Sequence, residues 1–124
     1  MTRFLVATDS IHTTAAACDY LGPRLDTDDS VRVVGVIEDG SRDAGDAVNV
    51  ASARLTTPTV ETAVRDGEPV DEIRNELERG DVDELVIGAH EPGTGAEDGL
   101  GRTAGALVGH VEVPCVVLPP VGLA

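Results

Sequence analysis

The sequence predicts one α/β domain over residues 1–124, with a doubly wound, five-stranded parallel sheet and helices on both faces. Three observations lead to this fold class. Short apolar segments alternate with helical segments along the whole chain, and such alternation builds a parallel sheet covered by helices. The most apolar segments are nearly continuous, which is typical of parallel strands buried on both faces. The chain also contains no internal repeat and no linker.

Five segments are predicted as strands, in the spatial order 3-2-1-4-5. Arg3–Thr8, Val31–Ile37 and Leu85–Ile87 are the nearly continuous apolar runs and should lie inside the sheet. Thr59–Val64 alternates between apolar and polar residues, which suits a strand nearer an edge. Cys115–Leu118 has a proline on each side, which indicates an edge position or an interface.

The first two helical segments lie between the first three strands. One begins at "IHTT" and is expected to end at the dipeptide Gly22-Pro23, since glycine is common just after a helix. The next, "AVNVASARL", places Val48, Ala51 and Leu55 on one face through spacings of three and four residues. This face should pack against the sheet.

The later helices follow the same pattern. "EPVDEIRNELERG" has Pro69 at its first helical position and Gly80 just past its end. Its apolar face consists of Val70, Ile73 and Leu77. A last short helix, "TAGALVGHV", precedes the fifth strand. In this Rossmann-like arrangement ligands settle beyond the carboxyl ends of the strands, where the strand order reverses. The loops after the first and fourth strands are therefore the candidate binding segments.

The charge of the chain is strongly negative. It contains 23 acidic and 9 basic residues, for a net charge of -14. All nine basic residues are arginine. Such a surface repels nucleic acid and anionic lipid, so neither is an expected partner. The acidic excess, the lack of lysine and the scarcity of aromatic residues resemble proteins of salt-loving archaea, where molar salt shortens the Debye length to about 3 Å. An ordinary acidic protein with an arginine bias is the alternative.

Neither membrane insertion nor secretion is expected from the sequence. No run of about eighteen apolar residues could span a membrane, and the apolar run near the start is too short for a signal peptide. We therefore expect a cytoplasmic protein.

No catalytic or metal site is predicted. Cys18 and Cys115 are flanked by apolar residues and have neither a CxxC spacing nor a matching histidine pair. They are therefore interpreted as small hydrophobic residues and not as zinc ligands. The sequence shows no serine beside a base in a strained turn, no paired histidines and no lysine nucleophile.

Three stretches resemble the universal stress protein family. "FLVATDS" is similar to its first strand, which ends in an aspartate. "VRDGEPVDEIRNELERGDVDELVIGAH" is similar to its middle section, and "GHVEVPCVVLP" to its closing helix and strand. The resemblance spans nearly the whole chain, although the segment Asp39–Pro58 is shorter than is usual in the family.

ATP-binding members of that family carry a signature of glycine, two residues, glycine, nine residues, glycine, then serine or threonine. Gly88 and Gly101 stand at the first and third glycine positions of this signature. Glu91 replaces the second glycine, and Arg102 replaces the hydroxyl residue, with Thr103 one place further on. Two of the four fixed positions therefore match and two depart.

The resemblance implies a nucleotide site, with ATP and Mg²⁺ as the implied ligand. Asp9 stands where binding members contact the adenosine end, Val36 where they present backbone groups to adenine, and His90 beside the signature's second glycine. Phosphate contacts would come from the signature and its neighbours: Gly88, Gly101, Arg102 and Thr103. Thr103 has the alternative role of capping the last helix.

The two departures act in opposite directions on phosphate binding. Glu91 adds a side chain where a backbone amide should approach the phosphates, and its charge at about 4 Å costs roughly 1 kcal/mol in water and about 4 kcal/mol at an effective dielectric of 20. A magnesium ion that bridges Glu91 and the phosphates could turn this repulsion into a favourable contribution. Arg102 offers forked donors suited to phosphate.

Three functions remain open from the sequence. The first is a stress-response regulator that binds nucleotide and hydrolyses it very slowly or not at all. The second is an interaction module of the same fold that has lost nucleotide binding and acts as a homodimer through its last strand, Cys115–Leu118. The third is an enzyme that uses the same sheet for another phosphorylated metabolite or an adenylated substrate.

Overall fold

The computed structural model describes residues 2–8, 11–37, 43–55, 59–79, 82–88, 105–107 and 111–118. The elements in chain order are β1 (Arg3–Thr8), α1 (Ile11–Leu21), β2 (Ser30–Ile37), α2 (Asp43–Arg54), β3 (Thr59–Asp66), α3 (Pro69–Glu78), β4 (Glu84–Gly88) and β5 (Cys115–Leu118). A 3-10 turn, Gly22–Arg24, follows α1, and residues 105–107 are helical.

The five strands form one sheet in the order β3-β2-β1-β4-β5. Every neighbouring pair is parallel, with Leu5 of β1 opposite Arg32 of β2 and Leu85 of β4. The predicted fold class and strand order are confirmed, as are the edge positions of Thr59–Val64 and Cys115–Leu118. The sheet is a doubly wound, Rossmann-like α/β fold.

Two apolar clusters lie on opposite faces of the sheet. Successive strand residues alternate between them, so Phe4 and Val6 face one cluster while Leu5 and Ala7 face the other. The first cluster, beneath α1 and α2, contains Phe4, Val6, Ala17, Cys18, Leu21, Leu25, Val31, Val33, Val48, Ala51, Leu55, Val86 and Leu118. The second cluster, on the side of α3, contains Leu5, Ala7, Val34, Val36, Ile73, Leu85, Ile87 and Leu107.

The helices present the faces that their spacing predicts. Val48, Ala51 and Leu55 are buried in the first cluster. Ile73 is buried in the second, and Val70 and Leu77 pack against it. The structure describes three helices of ten to twelve residues, and none of them is long and apolar enough to cross a membrane.

The strands differ slightly from their predicted limits. β3 continues through Arg65 and Asp66, which pair with Val36 and Ile37 of β2. Charged residues end the alternating pattern in the sequence, but an edge strand tolerates them because one of its faces and its outer side reach water.

Carboxylates hold the amino-terminal ends of the strands. Buried Asp29 accepts hydrogen bonds from the backbone amides of Asp26 and Thr2, both at 2.8 Å. These two bonds lower the pKa of its carboxyl group. The Asp83 carboxylate accepts a bond from the Arg3 amide at 2.9 Å. The end of the sheet opposite the candidate site is therefore fixed by side-chain contacts to the backbone.

A charged cluster joins α3 to the sheet. Buried Glu76 accepts a hydrogen bond from Arg32 Nε of β2 at 2.5 Å and one from Arg65 Nε of β3 at 3.4 Å. Arg79 approaches the same carboxylate at 3.9 Å. Arg32 also contacts Glu61 of the edge strand at 3.1 Å. We call these five residues the Glu76 cluster.

Candidate functional site

The candidate site lies where β1 meets β4. After β1 the chain passes to β2 on one side, whereas β4 and β5 lie on the other side, so the strand order reverses between β1 and β4. Ala7 is the register partner of Ile87, one residue before each of these strands ends. The carboxyl ends of β1 and β4 are therefore adjacent, and this is the place where ligands bind in open α/β sheets.

The first turns of α1 are tied to the end of β1. The hydroxyl oxygens of Thr8 and Thr14 lie 2.9 Å apart and share a hydrogen bond. Both side chains are buried, where a polar group without a partner would be costly. The bond fixes the start of α1 over the end of β1.

The end of β4 closely approaches the same helix. A Cβ atom placed on Gly88 would lie 2.9 Å from Thr13 Cγ2 and 3.2 Å from Thr13 Oγ1. Real Cβ atoms essentially never lie within 3.0 Å of such a neighbour, so any other residue at position 88 would force Thr13 or the end of β4 to shift, and glycine avoids this clash. Gly88 therefore has a packing role in addition to the phosphate contact predicted for it.

Val36 lies on the other side of β1, near the carboxyl end of β2. Its side chain is buried in the second apolar cluster, and its register partner on β3 is Arg65. The side chain thus contributes to the core, and its backbone is the part of this residue that the resemblance assigns to a ligand. Val36 and Gly88 flank β1 on neighbouring strands.

The other predicted site residues lie outside the described residues. These are Asp9, His90, Gly101, Arg102 and Thr103, together with Glu91. The structure brings together the strand ends that border the predicted site, and the ligand contacts of these six residues stay predictions.

The described part of the site is polar but uncharged. The hydroxyls of Thr8 and Thr14 are buried and bonded to each other, so the other polar groups described at the strand ends are the Thr13 side chain and the backbone of Gly88, both partly exposed. Within the described residues, no group of three or more histidine, cysteine or acidic side chains could hold a metal ion. Hydroxyl and backbone groups of this kind suit contacts to a ligand through hydrogen bonds.

Sequence reasoning missed the threonines of α1. Their signal was the Thr13-Thr14 pair shortly after a strand that itself ends in threonine. Burial raises the pKa of the Cys18 and Cys115 thiols, which favours their neutral form. Cys18 belongs to the first apolar cluster and Cys115, which is partly buried, packs against the second, in agreement with their interpretation as small apolar residues.

A comparison with protein-family models places the chain in a known family. The model of the universal stress protein family matches residues 41–119, more than half of the chain. The chain belongs to the universal stress protein family. No curated protein matches it at the level of sequence.

Solved universal stress proteins share the fold of this chain. UspA from Lactobacillus plantarum superposes with a TM-score of 0.72 at 18% identity, covering 94% of this chain and 97% of the other. The protein from Archaeoglobus fulgidus in complex with dAMP gives 0.59 at 19% identity, covering 95% and 98%. A universal stress protein in complex with cAMP also gives 0.59 at 19%, covering 95% and 96%. At these identities the likeness concerns the fold.

Proposed function

We propose that this universal stress protein is a regulator of the stress response that binds nucleotide and hydrolyses it very slowly or not at all. The observation that carries the proposal is the adjacency of the carboxyl ends of β1 and β4, seen in the pairing of Ala7 with Ile87. The strand order reverses at this point, and in open α/β sheets ligands bind in the crevice beyond the strand ends at such a reversal.

Solved relatives support a nucleotide as the ligand. Universal stress proteins of the same fold have been obtained in complex with dAMP and with cAMP. We propose an adenine nucleotide for this chain, with Asp9 at the nucleoside end and Arg102 at the phosphates. ATP with Mg²⁺ is the finer form of the proposal, since Mg²⁺ would offset the charge of Glu91.

A second candidate function is an interaction module without nucleotide. Glu91 and Arg102 at two fixed positions of the signature favour it. In this form of the proposal, the protein acts as a homodimer through β5. The support for a dimer is the position of Cys115–Leu118 at an edge of the sheet, where unpaired backbone groups can accept another strand. The cytoplasm as the site of action stays a prediction from the sequence.

Binding is tested by titrating AMP and ATP with Mg²⁺ into the full chain in molar potassium chloride. A ligand at a hundred times its dissociation constant stabilises the folded state by about 2.7 kcal/mol. For a chain of this length, that should raise Tm by about 10 °C. Absence of a shift at millimolar AMP and ATP would favour the interaction module.

Matched variants locate the binding. Asp9→Ala should abolish the shift and Arg102→Ala should weaken it. Asp46→Ala on α2 and Arg74→Ala on α3 remove the same charges from exposed positions of the described helices, so they should leave the shift unchanged. If the control variants lose binding as strongly as the site variants, the effect is one of overall charge and the proposed site is wrong.

A further inference from the structure

The contact between Thr13 and Gly88 joins two elements that are 75 positions apart in the chain. Thr13 lies in the first turn of α1, and Gly88 is the last residue of β4. The Cβ that any other residue would add at position 88 falls 2.9 Å from Thr13 Cγ2, 3.2 Å from Oγ1 and 3.7 Å from Cβ. Thr13 therefore leaves no room for a side chain at position 88 unless one of the two elements shifts.

Thr13 has little freedom to move away. Its side chain is β-branched, and in a helix such a side chain occupies few χ1 rotamers. The next residue, Thr14, is buried and hydrogen-bonded to Thr8 at the end of β1. The bond between Thr8 and Thr14 thus holds the start of α1 against the end of β1. We therefore expect a larger residue at position 88 to displace the end of β4 and not the helix.

We propose that Thr13 is a positioning residue that sets the point at which the chain leaves β4, and that Gly88 is required by this contact. The glycine-rich segment that is proposed to bind nucleotide begins directly after Gly88. The expected effect of this contact on binding therefore rests on the proposed function. The contact itself is a property of the fold and can be measured without a ligand.

The test combines substitutions at both positions. Gly88→Ala should raise the Kd for AMP at least about tenfold, which corresponds to about 1.4 kcal/mol. In the Thr13→Ala background the nearest atom to the new Cβ is the Cβ of residue 13, at an ordinary contact distance of 3.7 Å. Gly88→Ala in that background should therefore leave the Kd within about threefold of Thr13→Ala alone. Thr13→Ser should rescue partly, because its hydroxyl can remain 3.2 Å away.

A ligand-independent measurement accompanies the titrations. Leu118 of β5 is the register partner of Gly88, so its amide resonance reports on the position of the β4 end. The resonance should shift in Gly88→Ala and return toward that of the Thr13→Ala protein in the double variant. Gly45→Ala in α2 is the matched control, since nothing lies within 4 Å of a Cβ there, and it should change neither the resonance nor the Kd.

The outcomes separate this inference from the proposed function. Return of both the resonance and the affinity supports it. Return of the resonance without the affinity would mean that the ligand itself excludes a side chain at position 88, and this overturns the claim that the contact with Thr13 is what requires glycine there. A double variant that fails to fold, or a resonance that does not return, also overturns it. If the wild type binds no nucleotide, the proposed function has failed, and the resonance alone decides for or against the role of Thr13.

Discussion

Replacing Glu76 by glutamine should destabilise the protein because it removes the central charge of the Glu76 cluster. The side chain of Glu76 is 5% exposed, and Arg32 Nε donates to it at 2.5 Å. Glutamine keeps the shape of the side chain and one acceptor oxygen. It leaves the guanidinium groups of Arg32, Arg65 and Arg79 around a neutral side chain. Arg32 keeps its contact with Glu61.

The magnitude follows from the exposure of the three arginines. A hydrogen bond to a charged group contributes about 1.5–3 kcal/mol, and removal of one partner from a fully buried ion pair costs about 3–5 kcal/mol. The side chains of Arg32, Arg65 and Arg79 are 25%, 37% and 61% exposed, so water replaces part of the lost interaction. We expect a loss of about 2–3 kcal/mol in the free energy of unfolding, near the lower of these two ranges.

Thermal unfolding in about 0.15 M salt measures this loss. At about 4 °C per kcal/mol for a chain of this length, Glu76→Gln should lower Tm by about 8–12 °C. The control is Glu61→Gln, which removes the other acidic partner of Arg32 but from a side chain that is 69% exposed. An exposed pair contributes at most about 1 kcal/mol, so this variant should lose about 4 °C or less. Equal losses in the two variants would refute the reasoning.

The pH dependence gives an independent check on Glu76. Burial raises the pKa of its carboxyl group, but the hydrogen bond from Arg32 and the charges of Arg32, Arg65 and Arg79 outweigh burial, and the net pKa is lowered. The ionised group therefore stabilises the fold fully above the ordinary glutamate range, and this contribution is lost as the pH falls through the lower folded value. The difference in Tm between wild type and Glu76→Gln should shrink between pH 7 and about pH 3.

Three further predictions concern other parts of the chain. Because its hydrogen bonds lower the pKa of Asp29, Asp29→Asn should reduce Tm more at pH 7 than at about pH 3, and an equal reduction would contradict this. Because Cys18 is buried and burial raises its pKa, the native Cys115→Ser protein should react with a thiol reagent much more slowly than after denaturation; rapid native labelling would refute it. Because the net charge is -14, Tm should rise between about 0.1 and 2 M potassium chloride as repulsion is screened; a flat or falling Tm would contradict adaptation to high salt.

The sequence was sufficient for the sheet because burial leaves a direct pattern. Continuous apolar runs marked β1, β2 and β4, and alternation marked β3 as an edge strand. The Glu76 cluster could not be read in the same way. Glu76 stands three residues after Ile73 and so continues the apolar face of α3, which was an available signal. Its partner Arg32, however, is 44 positions away, and spacing along one helix says nothing about such a distant contact.

The candidate site shows the same division. The order of strands and helices predicted that the ends of β1 and β4 would meet, and the register of Ala7 with Ile87 confirms it. The family signature drew attention to Gly88 as a phosphate contact. The approach of Thr13 to Gly88 could not be predicted from the sequence, because it depends on how closely α1 packs over β4 and no local pattern encodes that distance.

The division of the interior into two apolar clusters has a consequence for how this chain can change over time. Val48 and Ile73, for example, belong to different clusters on opposite sides of the sheet. Substitutions that share no neighbours add independently in their effect on stability. Each side can therefore drift without compensating replacements on the other, so long as the backbone pairing between strands is kept. Two members of a family built in this way can come to differ at most interior positions and still superpose.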